Sequence, residues 1–426
     1  MKSKKKYTTE QYLFIFLLIF LAIRIASYYA LFPDNITLTR IIKTAGRILL
    51  TFLAIFMLFK FSKVWKHVSF NFIMIMPLFL YCSYLFLGLL SVSWSTNPSF
   101  SILQLAMIFE TFVFSLVFYK VLLYFDGAYN RKIPVIVSLL SRAIFIHSAW
   151  FIIGAYFDPD FYYRTTHGGT VARLGGLIIN PNELGLLTLI GIGASYIEIL
   201  NGKSPKFQVF SIMVTLTVLL MTQSRSSLFS FFIISGVYIL LTNNYFVKIG
   251  AITVAILVGP ILFNTIIVKD GNMEEVISLT GRTEFWQDLI NEGFPERPLL
   301  GKGFMSIADN GWYNKYASTH SYTTSMCHNT YVEVLTNLGL VGAFICLLQL
   351  LWTITAIVLN KNKILKIMAL FMLFPLLLNS ITEFGIFGHN NYAIQFYHFV
   401  FLFFTLGYTI NEDKVNKEIS ISPSLS

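Results

Sequence analysis

His328 and Asn329 are followed by nine residues and then by Gly339-Leu-Val-Gly342. The histidine closes the one long polar segment of an otherwise apolar chain. An imidazole gains and loses a proton near neutral pH. Set at the mouth of an apolar helix, it can take the proton of a hydroxyl as that hydroxyl attacks. The bland reading of a lone histidine is a structural hydrogen bond beside a helix N-cap, and the surrounding motif favours chemistry over it. Glu333 or Glu383 is available to orient the ring.

Arg173, Arg225 and Arg282 form the second group. Guanidinium forks are permanently charged and match phosphate or diphosphate oxygens. Each alone reads equally as an interfacial anchor or as the partner of Glu183, Glu284 or Glu383. As a set, in loops otherwise nearly free of charge, they point to an anionic lipid-linked ligand. Asn180-Pro-Asn182-Glu183 interrupts an apolar run and reads as a re-entrant or broken-helix entry. Arg24, Glu110, Arg142 and His147 lie inside apolar runs, where ionisable groups face a bundle interior. Ion pairing, for instance Glu110 with Arg142, accounts for them equally well. Cys327 adjoins His328, but neighbours along a backbone usually point apart, so a Cys–His catalytic pair is disfavoured. His167 and His320 read as structural.

The elements that must hold these residues follow from composition. The chain has 426 residues, of which 56% are hydrophobic and 12% charged. A soluble domain carries about 25% charge. Apolar runs of bilayer-spanning length recur throughout, so the expected fold is an all-α polytopic membrane protein. Twelve spans are expected, at 12–32, 44–61, 70–92, 101–125, 134–156, 177–200, 207–221, 226–242, 246–267, 330–358, 364–381 and 391–410. The net charge of +10 is then a topology signal and not a nucleic-acid one. Lys2, Lys4, Lys5 and Lys6 place the N-terminus in the cytoplasm. The same side receives Lys60, Lys63, Lys66, Lys120, Arg131, Lys132, Lys203, Lys206, Lys248, Lys361, Lys363, Lys366, Lys414 and Lys417. Both termini are therefore expected in the cytoplasm, and the first span reads as a signal anchor. Three cysteines, at 82, 327 and 346, give no disulfide framework.

The expected organisation is a tail at 1–11, a bundle of about nine spans at 12–267, an outer loop at 268–328, further spans at 329–410 and a tail at 411–426. A loop of that length is usually functional. Within it, residues 282–291 could form a short helix whose face carries Phe285, Trp286, Leu289 and Ile290, with Arg282 in the same arc. This topology gathers Trp94, Arg173, Asn182, Arg225, Arg282, His328, Glu383, His389 and Asn390 on the outer side.

Together these residues resemble the O-antigen ligase and O-antigen polymerase superfamily. The resemblance rests on Ser91-Val-Ser-Trp-Ser-Thr-Asn-Pro98, Arg173 with Asn180-Pro-Asn-Glu-Leu-Gly185, Ser224-Arg225-Ser226, Arg282 to Trp286, Pro298 to Phe304, and His328-Asn329 with Gly339 and Gly342. It runs over most of the chain and is best from 171 to 345. It implies about twelve spans of GT-C type, one large periplasmic loop between spans nine and ten, and residence in a bacterial inner membrane. It implies an enzyme that moves a glycan from undecaprenyl diphosphate to an acceptor hydroxyl, with no metal and no cofactor. Carried over, His328 is the base, Arg173 and Arg282 bind diphosphate and Arg225 assists; His328 and Arg282 are the expected catalytic residues, and Arg173, Arg225, Asn182, Glu383 and Asn329 the expected substrate-binding ones. The partners are the undecaprenyl-diphosphate-linked donor and an acceptor glycan, with a chain-length regulator protein as a further partner. The compact loop favours a polymerase that extends another lipid-linked repeat. A ligase acting on lipid A–core, or a transferase acting on protein, is the alternative. A non-enzymatic flippase of the same lipid-linked sugars belongs to another class. It would spread its charges along a path from both sides, and no internal repeat of the kind common in transporters is visible.

Overall fold

The structure is a computed structural model that describes residues 8–60, 72–166, 171–262, 264–265, 279, 281–307, 311–317, 327–383 and 385–405. His167, His320 and most of both tails lie outside these residues.

Each of the twelve expected apolar segments contains a helix. They are α1 (Thr9–Ala26), α2 (Ile36–Lys60), α3 (Phe72–Ser91), α4 (Pro98–Ala128), α5 (Val135–Phe157), α7 (Pro181–Leu200), α8 (Pro205–Thr222), α9 (Arg225–Leu241), α10 (Tyr245–Leu262), α13 (Thr330–Leu359), α14 (Lys363–Thr382) and α15 (Tyr392–Thr405). Nine helices among the described residues are long and apolar enough to cross a membrane. Arg225–Leu241 and Tyr392–Thr405 are apolar but shorter. The short helices α6 (Pro159–Tyr162), α11 (Arg282–Asp288) and α12 (Trp312–Ala317) lie between spans. A two-stranded antiparallel hairpin, β1 (Tyr163–Thr166) with β2 (Val171–Leu174), was not anticipated from sequence.

Asparagine starts many of these helices. Asn97, Asn180, Asn329 and Asn362 each accept backbone N–H groups of the turn that follows. A short side-chain oxygen thus satisfies donors that have no partner inside the helix. Proline follows at the first helical position of α4 and α7, where its missing N–H costs nothing. Asn180-Pro181 is therefore the start of a span and not a re-entrant break.

The centre of the bundle is α7. Every residue from Leu184 to Glu198 is buried, against α5, α8, α9 and α14. A Cβ on Gly193 would stand 2.5 Å from the Phe371 carbonyl oxygen, so glycine lets α7 and α14 approach closely. Buried charges hold the layers around it. Arg24 on α1 grips Glu110 on α4 at 2.7 and 3.1 Å, and Arg47 on α2 reaches the same carboxylate at 2.9 Å. Arg142 instead lies 3.9 Å from Glu198. The expected Glu110–Arg142 pairing is thus replaced by two separate sets, because α4 faces α1 and α2 at that depth.

The real helix break is in α13. Gly339 has φ +63° and ψ −163°, a region open essentially to glycine alone. The freed backbone groups are taken up by the loop at 298–303. Leu340 and Val341 donate to the carbonyls of Pro298 and Leu299 at 2.8 and 3.2 Å. Lys302 and Gly303 donate to Thr336 and Asn337 at 3.2 and 2.9 Å. The turn at 91–96 closes over this joint. Trp94 Nε1 donates to the Leu300 carbonyl at 3.2 Å, and Phe304 donates its N–H to Ser91 Oγ at 2.9 Å. Three of the motifs read from sequence are therefore one scaffold beneath the start of α13.

Candidate functional site

Glu383, the residue after α14, is the hub. It is 3% exposed. Its Oε1 accepts from Arg282 Nη1 at 2.9 Å and from Asn182 Nδ2 at 2.6 Å. Its Oε2 lies 2.9 Å from His328 Nδ1. Arg282 Nη1 also donates to the Thr382 carbonyl. Burial pushes the Glu383 carboxyl up, but the charges and hydrogen bonds of Arg282 and His328 outweigh it and hold the group at about 2. An ionised carboxylate only accepts hydrogen bonds, so His328 Nδ1 must carry the proton. The neutral form of the ring that keeps this contact carries its lone pair on Nε2, which is the form a general base needs. The ring is not sealed, since 16% of its side-chain surface is exposed.

Local chain geometry aims the histidine. His328 has φ +50°, a left-handed conformation unusual for a residue with a Cβ. Such a backbone costs about 1–3 kcal/mol and persists only where neighbours over-determine it. Here Asn329 follows as N-cap and accepts from the N–H groups of Tyr331 and Val332 at 3.0 and 3.1 Å. Thr330 Oγ1 donates to the Glu383 carbonyl at 3.3 Å. On the other side, Trp286 Nε1 donates to the Cys327 carbonyl at 2.8 Å. Phe285, Trp286, Leu289, Tyr313, Cys327 and Val332 share a small apolar core. That core carries Arg282 and His328 together. Ile290, expected on the same face, is 41% exposed, because a π-turn from Leu289 to Gly293 replaces the α-helical register.

The hairpin supplies the next cations. Arg164 and Arg173 are direct partners across β1 and β2. Arg173 donates from Nε to the Thr222 carbonyl at 2.9 Å and from Nη2 to Asn182 Oδ1 at 2.5 Å. Burial and the like charge of Arg164 lower its guanidinium to about 10. Asn182 therefore bridges Arg173 to Glu383. Arg225 opens α9, three residues after Thr222, and its charge reaches Arg173.

The structure thus brings together His328, Glu383, Arg282, Asn182, Arg173 and Arg225. Asn329 belongs to the same end of the bundle, but its side-chain oxygen is occupied as a cap. Of the two carboxylates available to His328, Glu383 is the partner, and Glu333 is buried beside Gly388. Burial and the neighbouring charge of His328 hold His389 down at about 4, so it is neutral at physiological pH. Cys327 is fully buried, and burial pushes its thiol well above its ordinary range, which argues against a thiolate nucleophile. Among the described residues no three His, Cys, Asp or Glu side chains are grouped to hold a metal ion.

Two residues of this region escaped the sequence reading. Arg164 was not singled out, although 164 and 173 are equidistant from Gly168-Gly169, a hairpin-turn signal. Lys43, which lies between Arg40 and Arg47 in α2, was passed over.

The family model described as O-Antigen ligase matches residues 210–347. Over these residues the chain is similar to the O-antigen ligase family. No curated protein matches the chain. The superfamily match takes in Arg225, Arg282, His328, Asn329 and the Gly339 joint. Arg173, Asn182 and Glu383 lie outside it.

Proposed function

We propose that this protein is a metal-independent membrane glycosyltransferase. It transfers a glycan from undecaprenyl diphosphate to a hydroxyl of another lipid-linked repeat unit, at the outer face of a bacterial inner membrane. The observation that carries the reading is the His328–Glu383–Arg282 linkage, which sets an imidazole beside a cationic anchor. His328 Nε2 accepts the acceptor hydroxyl proton as the oxygen forms its bond to the anomeric carbon. The bond from that carbon to the diphosphate oxygen breaks, and the diphosphate leaves with the electron pair. Arg282, Arg173 and Arg225 stabilise the charge that develops on it. Glu383 holds the imidazole tautomer and balances the imidazolium as it forms, the role a buried carboxylate plays in hydrolytic triads.

The absence of a docking-sized polar stretch between residues 268 and 328 of the sequence supports a polymerase. Transfer to lipid A–core is the second reading, since the superfamily includes ligases. The test is reconstitution of the purified protein in nanodiscs with an undecaprenyl-diphosphate-linked repeat. A polymerase yields a ladder of lipid-linked oligomers without added metal and in the presence of chelator. No ladder, with transfer only when lipid A–core is supplied, would make the protein a ligase. Loss of transfer on chelation would remove metal independence.

A further inference from the structure

Two motifs read from sequence, the turn at 91–96 and the loop at 298–303, meet at the break in α13 and take no part in the contacts around Glu383. The side chains this joint leaves on the surface are apolar. Leu299 is 63% exposed and Leu300 44%, directly after the exposed pair Glu296 and Arg297. The Leu299 carbonyl accepts from Val341, itself exposed, and Leu340, Val341, Phe344 and Leu347 continue the apolar surface along α13. A contiguous patch of this kind marks an interaction face.

The break divides α13 into two parts with different surroundings. Before it, Val332, Glu333, Val334, Thr336, Asn337 and Leu338 are all buried within the protein. After it, Leu340, Phe344, Leu347, Leu351, Ile354 and Val358 are exposed. They recur every three or four residues, the period of one helix face, and all are apolar. Setting aside the ten residues Thr330–Gly339 from the thirty of α13 leaves twenty, Leu340–Leu359. Twenty residues of helix measure about 30 Å, the thickness of a hydrocarbon core. Asn360 and Lys361 follow at once. The neighbouring α3 gives the same level independently. It has 20 residues, and the Pro77 carbonyl within it accepts from Gln349 Nε2 of α13 at 3.4 Å. Its last residue, Ser91, is the one that takes the Phe304 N–H at the joint. Two helices of bilayer length thus end there.

The polar groups around the leucines suit such a boundary. Trp94, half-buried with its indole N–H on the Leu300 carbonyl, is of the type enriched at membrane interfaces. Arg297 Nη1 donates to the Trp94 carbonyl at 3.3 Å, and Lys302 pairs with Glu296. Long cationic side chains lay their stems on apolar surface and keep their heads at the polar edge. The loop is also pressed onto α13. Gly301 has φ +63°, and a Cβ there would stand 2.4 Å from the Asn337 carbonyl oxygen. The leucines are therefore fixed facing outward.

We propose that Pro298–Gly301 is a membrane-inserted wedge whose partner is lipid, with Leu299 and Leu300 among the acyl chains at the hydrocarbon boundary. Its backbone closes the broken hydrogen bonds of α13, and its side chains continue the lipid-facing stripe of that helix. The break at Gly339 is thereby held at the boundary. Thr330–Leu338, with His328 at its head, stays on the polar side. The wedge does not depend on the reaction proposed above.

The experiment measures probe depth in the full-length protein in nanodiscs. Cys82, the exposed cysteine, is changed to serine, while Cys327 and Cys346 are buried. Leu299→Cys, Leu300→Cys, Leu340→Cys and Lys315→Cys are then labelled one at a time with an environment-sensitive fluorophore. The lipids carry a nitroxide quencher either near the top of the acyl chain or on the headgroup. Lys315 is the exposed, aqueous reference. Emission at 299 and 300 is expected to be blue-shifted to match 340, and to be quenched by the acyl-chain nitroxide far more than emission at 315. Water-like emission at 299 and 300 overturns the proposal, as does quenching by the headgroup nitroxide alone, which places the loop above the boundary. Blue-shifted emission with no quenching by either lipid also overturns it, and would put a second copy of the chain over the leucines. Leu300→Cys keeps the test open if Leu299→Cys fails to fold.

Discussion

His328 Nδ1 and Glu383 Oε2 lie 2.9 Å apart, and the other oxygen of the same carboxylate takes an Arg282 N–H at 2.9 Å. One buried acid therefore orients the base and the cation together. Any change at Glu383 should be felt by both.

Glu383→Gln is expected to lower transfer on the order of 10²–10⁴-fold, as loss of the orienting carboxylate does in hydrolytic triads. The amide can donate to Nδ1 and so favour the tautomer with its lone pair on the wrong nitrogen. Donor binding should weaken less than turnover. A turnover near wild type would show that His328 does not depend on this contact.

Arg282→Ala is expected to lose roughly 10²–10³-fold in transfer, the scale for removing one charge-stabilising donor. It should also weaken undecaprenyl diphosphate binding. Arg282→Lys should rescue only partly, because a point charge cannot reproduce a planar fork. Wild-type binding and turnover in the alanine variant would make Arg282 a structural residue.

The pH dependence of stability follows from Glu383. Its ordinary value is 4.5 and its folded value about 2. A depressed folded value contributes stability that is fully present above 4.5 and is lost as pH falls toward 2. The melting-temperature gap between wild type and Glu383→Gln should be constant from neutral pH down to about 5 and shrink below the ordinary carboxylate value. A gap that stays constant down to pH 3 (roughly one unit above the folded value) would mean the contact does not perturb the carboxyl.

Gly339→Ala should destabilise the protein by roughly 1–3 kcal/mol or more. The added Cβ would stand 2.4 Å from the Leu299 carbonyl in a backbone conformation alanine does not adopt. Gly46→Ala, with nothing within 4 Å of the new carbon, is the control and should melt like the wild type.

Much of this architecture was legible in the sequence because bilayer length and apolarity are properties of single segments. Each expected span contains a helix for that reason. Side-chain partnership is not a property of a segment. Glu110 pairs with Arg24 and Arg47 and not with Arg142, since the choice depends on which helices are neighbours. The motif residues were visible, but their division of labour was not. Asn182 and Asn329 look alike in sequence, yet one bridges Arg173 to Glu383 and the other caps a helix. The break at Gly339 was hidden within a continuous apolar run. Arg164 was hidden because its place depends on the register of a hairpin only four residues long on each side.

The most direct measurement of the central claim is glycan transfer by purified His328→Gln in nanodiscs with the lipid-linked donor. The account predicts unchanged insertion and donor binding and a loss of transfer of about 10²–10⁴-fold, because an amide can copy one imidazole hydrogen bond but cannot accept the proton. Transfer by His328→Gln at a rate near wild type would contradict the account.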